Sequence, residues 1–560
     1  MAAALAARLE RALGIGCGGV LALLLALVAA STVERYALGS GHLGAEEAMV
    51  WLLLLLACLG FPLVAGGPLS MRVDLFAAAA PRAVIAEAMV LAACLALVSA
   101  GARAAWLVGG VSPLLGLGEW MRPAALAASG AAAFGLRVLL LAGEGRMRQM
   151  LVPAGLALCV FGLVASGTSA PVASPSLAAG LVVALGILTA APLPHVFVLA
   201  GWLALAFGSP LVEPAIAMSL LSGMGRYLLL AIPFFLLAGG LLIVSGIAAD
   251  LVRFAASLVG RRRSGLGQTV LLTSVLFSGI SGSSIANAAF SAKTFVRPLV
   301  AHGYAPARAG AIVAATAVLD NIIPPSIAFF ILATATSLPV GPLLVGGLVA
   351  GLVLAAALAM SIGLGGGDVT TTPPESAPSR WRLAVRALPV FGLGLIVVLG
   401  IRLGIVTPTE AAGLAAAYTL AAAIAACSRL GDIGAAFRQA GAEAAAILVL
   451  IGAASPFAFL LAVDGVGAMA TRAALALGEN PFMVMLAANL LLLAVGLVLD
   501  IGAAILLFAP ILLPVAVAVG IDPVHFGVIL VVNLMVGGLT PPVGILVQVV
   551  SASTGLSSVS

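Results

Sequence analysis

Apolar runs long enough to cross a bilayer recur from one end of the chain to the other, and nothing else restricts its fold as strongly. A membrane-spanning α-helix needs about 20 mostly apolar residues. Such runs fall at about 12–32, 49–66, 84–110, 123–143, 150–167, 175–208, 227–249, 266–300, 305–337, 341–363, 383–403, 409–428, 434–463, 481–517 and 523–550. The chain is 63% hydrophobic and 8% charged, with a mean hydropathy of +1.27. A soluble domain carries roughly 25% charged residues. Backbone polar groups in hydrocarbon must be satisfied internally, so an all-α polytopic membrane protein is expected. The net charge of +5 is too small and scattered for nucleic acid. Cys17, Cys58, Cys94, Cys159 and Cys427 lie in apolar segments without paired spacing and read as small packing residues. The first apolar run lacks a small-residue cleavage site and reads as a span rather than a signal peptide.

Charge orients the spans. Arg8 and Arg11 precede the first, so the N-terminus is expected on the cytoplasmic side; Arg72, Arg82, Arg146, Arg148 and the run Arg261–Arg263 mark further inside loops. Residues 1–149 read as a four-helix unit. A connecting span and linker follow at 150–170, and a polar linker at 365–380 divides the remainder into 171–364 and 381–560.

Those two parts repeat each other. "GYAPARAGAIVAATAVLDNIIPPS" from Gly303 and "GIDPVHFGVILVVNLMVGGLTPPV" from Gly520 share a Gly, a Pro three residues later and a Pro-Pro 18 residues after that, at a constant offset of 217. The same offset sets Ser281–Ser284 of "FSGISGSSIANAAF" (277–290) opposite Val498–Ile501, inside "VGLVLDIGAAILLFAPILLP". Pro298 matches Pro514 only after a one-residue slip. Four runs, 175–208, 266–300, 481–517 and 523–550, are too long for one helix and must each hold two elements. Each repeat therefore reads as a re-entrant helical hairpin followed by a helix broken at Pro-Pro.

Such breaks are tolerated in lipid only where they are buried or line a wet cavity. Proline removes a donor and displaces a carbonyl one turn earlier. Freed carbonyls and Ser or Thr hydroxyls suit a small cation, and helix N-termini favour an anion. Two breaks facing two hairpin tips make a site for a cation-coupled anionic solute.

From about residue 171 onward the chain resembles the large membrane subunit of tripartite ATP-independent periplasmic (TRAP) transporters. The resemblance rests on "LLAIPFFLLAGGLL" (229–242), "SGISGSSIANAAF", "NIIPPSIAFF" (321–330), "GIVTPTEAAGLAAAY" (404–418), "LVLDIGAAILLFAPILLP" (497–514) and "HFGVILVVNLMVGGLTPPVG" (525–544), in family order. Residues 1–149 are similar to the family's small four-helix subunit, with "RVDLF" and "VSPLLGLGEW" as weaker marks, so the chain resembles a fusion of both subunits. The resemblance implies a sodium-coupled elevator-type importer in the bacterial inner membrane. It implies an organic-acid substrate delivered by a periplasmic binding protein, and no cofactor beyond the coupling ion.

The implied first sodium site comprises Ser278, Ser281, Ile323 and Pro324. Relatives commonly have Gly four residues before that proline; this chain has Asp320, whose repeat twin is Gly537. Asp320 reads as an extra cation ligand, a proton-linked group or a substrate discriminator. The implied second site comprises Gly496, Gly537, Thr540 and Val543, with Asp500 beside it. Ser283, Ser284, Asn287, Pro325, Ser326, Pro541 and Pro542 are candidates for substrate contact.

Plainer readings compete. The hairpin serines could be small-residue packing. Asp320 and Asp500 could cap helices, although intramembrane carboxylates default to function. Thr407, Pro408 and Glu410 read as a capping box, Lys293 as a snorkelling side chain, and Arg402 and Asp464 as span ends. His195, His302 and His525 have no partner at metal spacing. An intramembrane enzyme would need a His-Glu-x-x-His motif or a flanked aspartyl dyad, and neither is present. Closed hairpin tips fit alternating access better than an open channel.

Overall fold

The computed structural model describes residues 1–39, 44–67, 69–72, 80–166, 174–259, 264–281, 284–364, 379–476, 480–540 and 544–556. Residues 261–263, 365–378 and 541–543, together with Ser283, lie outside that set, and so do the readings that fall on them. Among the described residues the fold is all-helical apart from a single bridge between Val111 and Gly118, and ten helices are long and apolar enough to cross a membrane. The protein is a multi-pass membrane protein.

The chain forms two compact units, one of residues 1–233 and 437–472, the other of 234–436 and 473–560. In the first, helices Ala2–Ala37, Ala45–Val64, Ala80–Leu107 and Met121–Gly143 pack on one another. Lipid supplies little hydrophobic drive for such packing, so close approach through small residues carries it. Gly60 lies against Ala445 of the long helix Leu430–Val463, where an added Cβ would fall 2.2 Å from the alanine's own. Gly441 of that helix meets the backbone of Cys17 in the same way. Between Ala80–Leu107 and Met121–Gly143, Arg137 Nε donates to both carboxylate oxygens of Glu87 at 2.8 and 2.9 Å, neutralising a half-buried pair. Ser174 Oγ and the Ser176 amide donate to Asp464 Oδ2 at 2.8 and 2.7 Å, tying residues up to 290 positions apart.

The second unit contains both repeats, and its helix boundaries obey the 217-residue offset. Helix Gly265–Ser281 ends where the offset predicts the end of Pro481–Val498, and Ser284 starts its helix opposite Ile501. The helices Pro306–Ala317 and Pro523–Gly537 begin at matching prolines. The first broken helix tightens into a 3₁₀ turn, Val318–Asn321, and resumes at Ile327–Thr336; the second resumes at Ile545–Thr554. The one-residue slip at Pro298 has a structural origin. The first hairpin's return limb contains a π-helical turn, Ala292–Val296, which accommodates one inserted residue, whereas its counterpart Ile501–Ala518 is α-helical throughout.

Three helices escaped the span reading: Glu213–Met224, Ile247–Val259 and Val466–Ala476. Each is shorter than a span, and two carry an arginine on an otherwise mixed face, Arg253 and Arg472.

Candidate functional site

Within the second unit the packing partners exchange between repeats. The outgoing limb of each hairpin packs on the first half of its own broken helix: Gly265–Ser281 on Pro306–Ala317, and Pro481–Val498 on Pro523–Gly537. Each return limb packs on the second half of the other repeat's broken helix: Ser284–Ser291 on Ile545–Thr554, and Ile501–Ala518 on Ile327–Thr336. This reciprocal exchange brings two hairpins and two breaks into one assembly. A buried apolar core that includes Phe295, Val313, Leu319 and Ile322 fixes the first half of it.

The first hairpin carries a polar stripe on each limb. Ser274, Ser278 and Ser281 fall at helical spacings of four and three, and Ser284, Asn287 and Ser291 at three and four. Ser274, Ser278, Asn287 and Ser291 are completely buried, and Ser284 nearly so. Ser278 Oγ donates to the Val275 carbonyl at 2.7 Å, and Ser291 Oγ to Asn287 Oδ1 at 3.1 Å. The Thr273, Ser274 and Ser284 hydroxyls and Asn287 Nδ2 have no hydrogen-bond partner among the described residues. Leaving a buried polar group unmatched costs about 1–3 kcal/mol, so this seam is a candidate for polar ligation. Phe277 and Phe290 stack at 5.1 Å and hold the limbs together. Thr273, Ser274 and Ser291 were missed in the sequence, although the helical spacing back from Ser278 would have found Ser274.

The 3₁₀ turn packs against both limbs and carries Asp320, which is fully buried. Next to it, Asn321 Nδ2 contacts Met535 Sδ at 3.6 Å, and the Asn321 carbonyl accepts from the buried Ser326 hydroxyl. Ile323 is buried, and its amide donates to the Leu319 carbonyl at 2.8 Å. The helix that ends at Ser281 places that residue at the hairpin tip. Sequence-predicted Ser278, Ser284, Asn287, Asp320, Ile323, Pro324, Pro325 and Ser326 thus lie on packed neighbouring elements. Oxygen donors predominate there, a set suited to a hard cation, while the free amide and hydroxyl donors suit a carboxylate.

The second repeat is built differently at the same positions. Leu491, Val495, Val498, Ile501, Ala504 and Phe508 replace the six polar residues. Where the first repeat has Gly279 and Asp320, the second has Gly496 and Gly537, and there the backbones cross: a Cβ on Gly537 would fall 2.8 Å from Gly496 Cα. One level along, Asn533 Nδ2 donates to Asn489 Oδ1 at 2.5 Å, a polar clasp between the same two helices. Asp500 caps its helix, with Oδ2 accepting from the Gly502 amide at 2.9 Å. Thr540 Oγ1 donates to the Val536 carbonyl at 3.2 Å, and the Gly544 amide donates to the Thr540 carbonyl at 3.1 Å. Pro541, Pro542 and Val543 lie outside the described residues.

Glu410 is the buried partner in a complete capping box. The Thr407 amide donates to Glu410 Oε2 at 2.8 Å, and the Glu410 amide to Thr407 Oγ1 at 3.3 Å. Lys293 is exposed within the π turn, and His195 is buried against the Phe61 ring at 4.5 Å.

Residues 177–558, which include both repeats, match the family described as "Tripartite ATP-independent periplasmic transporter, DctM component". The chain belongs to this family. Its relatives include the C4-dicarboxylate TRAP transporter large permease protein DctM of Pseudomonas aeruginosa, 36% identical over 364 residues, covering 64% of this chain and 85% of the relative. The sialic acid TRAP transporter large permease protein SiaM of Vibrio cholerae is 34% identical over 340 residues, covering 60% and 79%. The 2,3-diketo-L-gulonate TRAP transporter large permease protein YiaN of Escherichia coli is 29% identical over 339 residues, covering 60% and 80%. This TRAP permease is thus a transporter rather than an enzyme.

Proposed function

We propose that this TRAP permease imports an organic acid into a bacterial cell across the inner membrane, driven by sodium and working by an elevator movement. The observation that carries the reading is the pairing of a two-helix hairpin with a broken helix, twice, inside one compact unit. Ser278, Ser281, Asp320, Ile323 and Pro324 hold one sodium ion. Gly496, Asp500, Gly537, Thr540 and Val543 surround a second, bound mainly through backbone carbonyls. The donors of Ser283, Ser284, Asn287 and Ser326, with the helix N-termini after Pro325 and Pro542, receive the substrate carboxylate. The acid is of the class named for the relatives: a C4-dicarboxylate, a sialic acid or a diketogulonate. Residues 1–149 act as a fused small subunit that enlarges the scaffold; their glycine-mediated packing on Leu430–Val463 supports this. A periplasmic binding protein delivers the acid, and the N-terminus lies on the cytoplasmic side.

Uptake of labelled acids by proteoliposomes, with and without a periplasmic binding protein, tests the reading. Accumulation that needs both an inward sodium gradient and the binding protein is expected. Uptake that needs neither overturns it.

A further inference from the structure

A cavity of about 190 Å³ opens between the spans Val340–Leu364 and Arg380–Arg402, inside the second unit. Leu344, Val345, Leu348 and Val398 form apolar walls, Pro324 of the first break closes part of it, and Arg402 stands in its lining. Both spans turn much of their surface away from the protein: Leu352 and Val353 on one and Leu395 and Leu399 on the other are exposed, as lipid-facing side chains are. Arg402 is itself exposed at the end of its helix, and no carboxylate among the described residues pairs with it. A cavity this small falls below the range of on the order of 300–1,000 Å³ that encloses a compact small molecule. It is suited to a narrow apolar chain entering from the side. A soluble dicarboxylate would meet one cation and leave the apolar walls facing its own charge.

We propose that this cavity binds one acyl chain of an anionic phospholipid whose phosphate is held by Arg402. The lipid belongs to the leaflet on the side opposite Arg380, Arg382 and Arg386, which begin the same helix. Its chain packs on Pro324 and so braces the first break from the lipid side. The inference stands whichever solute is carried.

Native mass spectrometry of the full-length protein, titrated separately with phosphatidylglycerol, phosphatidylcholine, inorganic phosphate and succinate, tests it. Phosphatidylglycerol is expected to bind more tightly than phosphatidylcholine, with Arg402→Gln weakening it about fivefold, the effect of one basic group near an anionic headgroup. Arg402→Lys should keep most of the preference. Val345→Phe, which fills the cavity without touching the charge, should weaken both lipids. Size-exclusion profiles matching wild type establish that these variants are folded. Equal binding of the two lipids, or an undiminished preference in Arg402→Gln, overturns the proposal. So does succinate or phosphate binding that Arg402→Gln abolishes while lipid binding stays, because the cavity then serves a soluble anion.

Discussion

Two positions related by the repeat, Asp320 and Gly537, do opposite things with the same place in the backbone. Gly537 exists because its helix crosses Gly496 with no room for a side chain. Gly537→Ala should therefore lower the melting temperature in detergent, at a cost of about 1–3 kcal/mol for overpacking. Gly538→Ala, whose Cβ would meet nothing closer than 3.4 Å, is the near-neutral control. Equal melting of the two variants would remove the steric account. Asp320 occupies the corresponding place fully buried, so its carboxylate is retained for something other than exposure to solvent. Asp320→Gly should leave the protein folded while raising the sodium concentration for half-maximal uptake by about tenfold, equivalent to about 1.4 kcal/mol. An unchanged sodium dependence makes Asp320 structural. Asp464 is a different kind of carboxylate. Burial pushes its pKa up, but hydrogen bonds from the Ser176 and Ser174 side chains and the Ser176 amide outweigh that and hold it below the usual carboxylate range. A depressed folded value contributes stability above the unfolded value of roughly 3.9 and loses it as pH falls through the lower folded value. Melting curves of Asp464→Asn should thus lie below wild type at neutral pH and converge with it in strong acid; a gap independent of pH would contradict this.

Among the elements, the two hairpins share boundaries but not chemistry. Polar stripes run along both limbs of the first, and apolar side chains fill the same positions of the second. The proposed sodium coupling should therefore be more sensitive to the first. Ser278→Ala is expected to weaken sodium activation of uptake severalfold, whereas Val495→Ala, its repeat counterpart, should leave it near wild type; equal effects would mean the stripe is only packing. Much of this level was legible beforehand. Pro306, Pro324, Pro523 and Pro541 exposed the offset, because proline punctuates helices in ways that survive divergence, and the hairpin ends at Ser281 and Val498 then followed. The π turn at Ala292–Val296 was visible only as an unexplained slip, since no residue type announces a π turn. The helix Ile247–Val259 was missed for a plainer reason: it is amphipathic, and a search for continuous apolar runs passes over it. The Gly496–Gly537 crossing could not be read at all, because closeness of two backbones 41 positions apart is a tertiary fact.

At the scale of the whole molecule, family membership shows a transporter, and its buried polar residues are unequally divided between the two repeats. Asp320, Ser274, Ser278, Asn287 and Ser291 all belong to the first repeat, and all are fully buried. The second repeat offers mainly close-packed backbone and capped helix ends. Under the sodium coupling proposed above, losing polar groups from the first hairpin should shift the sodium dependence more than equivalent changes in the second. The most direct measurement is the sodium dependence of substrate uptake in proteoliposomes containing the permease and its binding protein, for wild type and Ser278→Ala side by side. The account predicts a steep, sodium-requiring activation in wild type that shifts to higher concentration in the variant without loss of protein. Uptake that proceeds at full rate without sodium, or a variant curve superimposable on wild type, would contradict it.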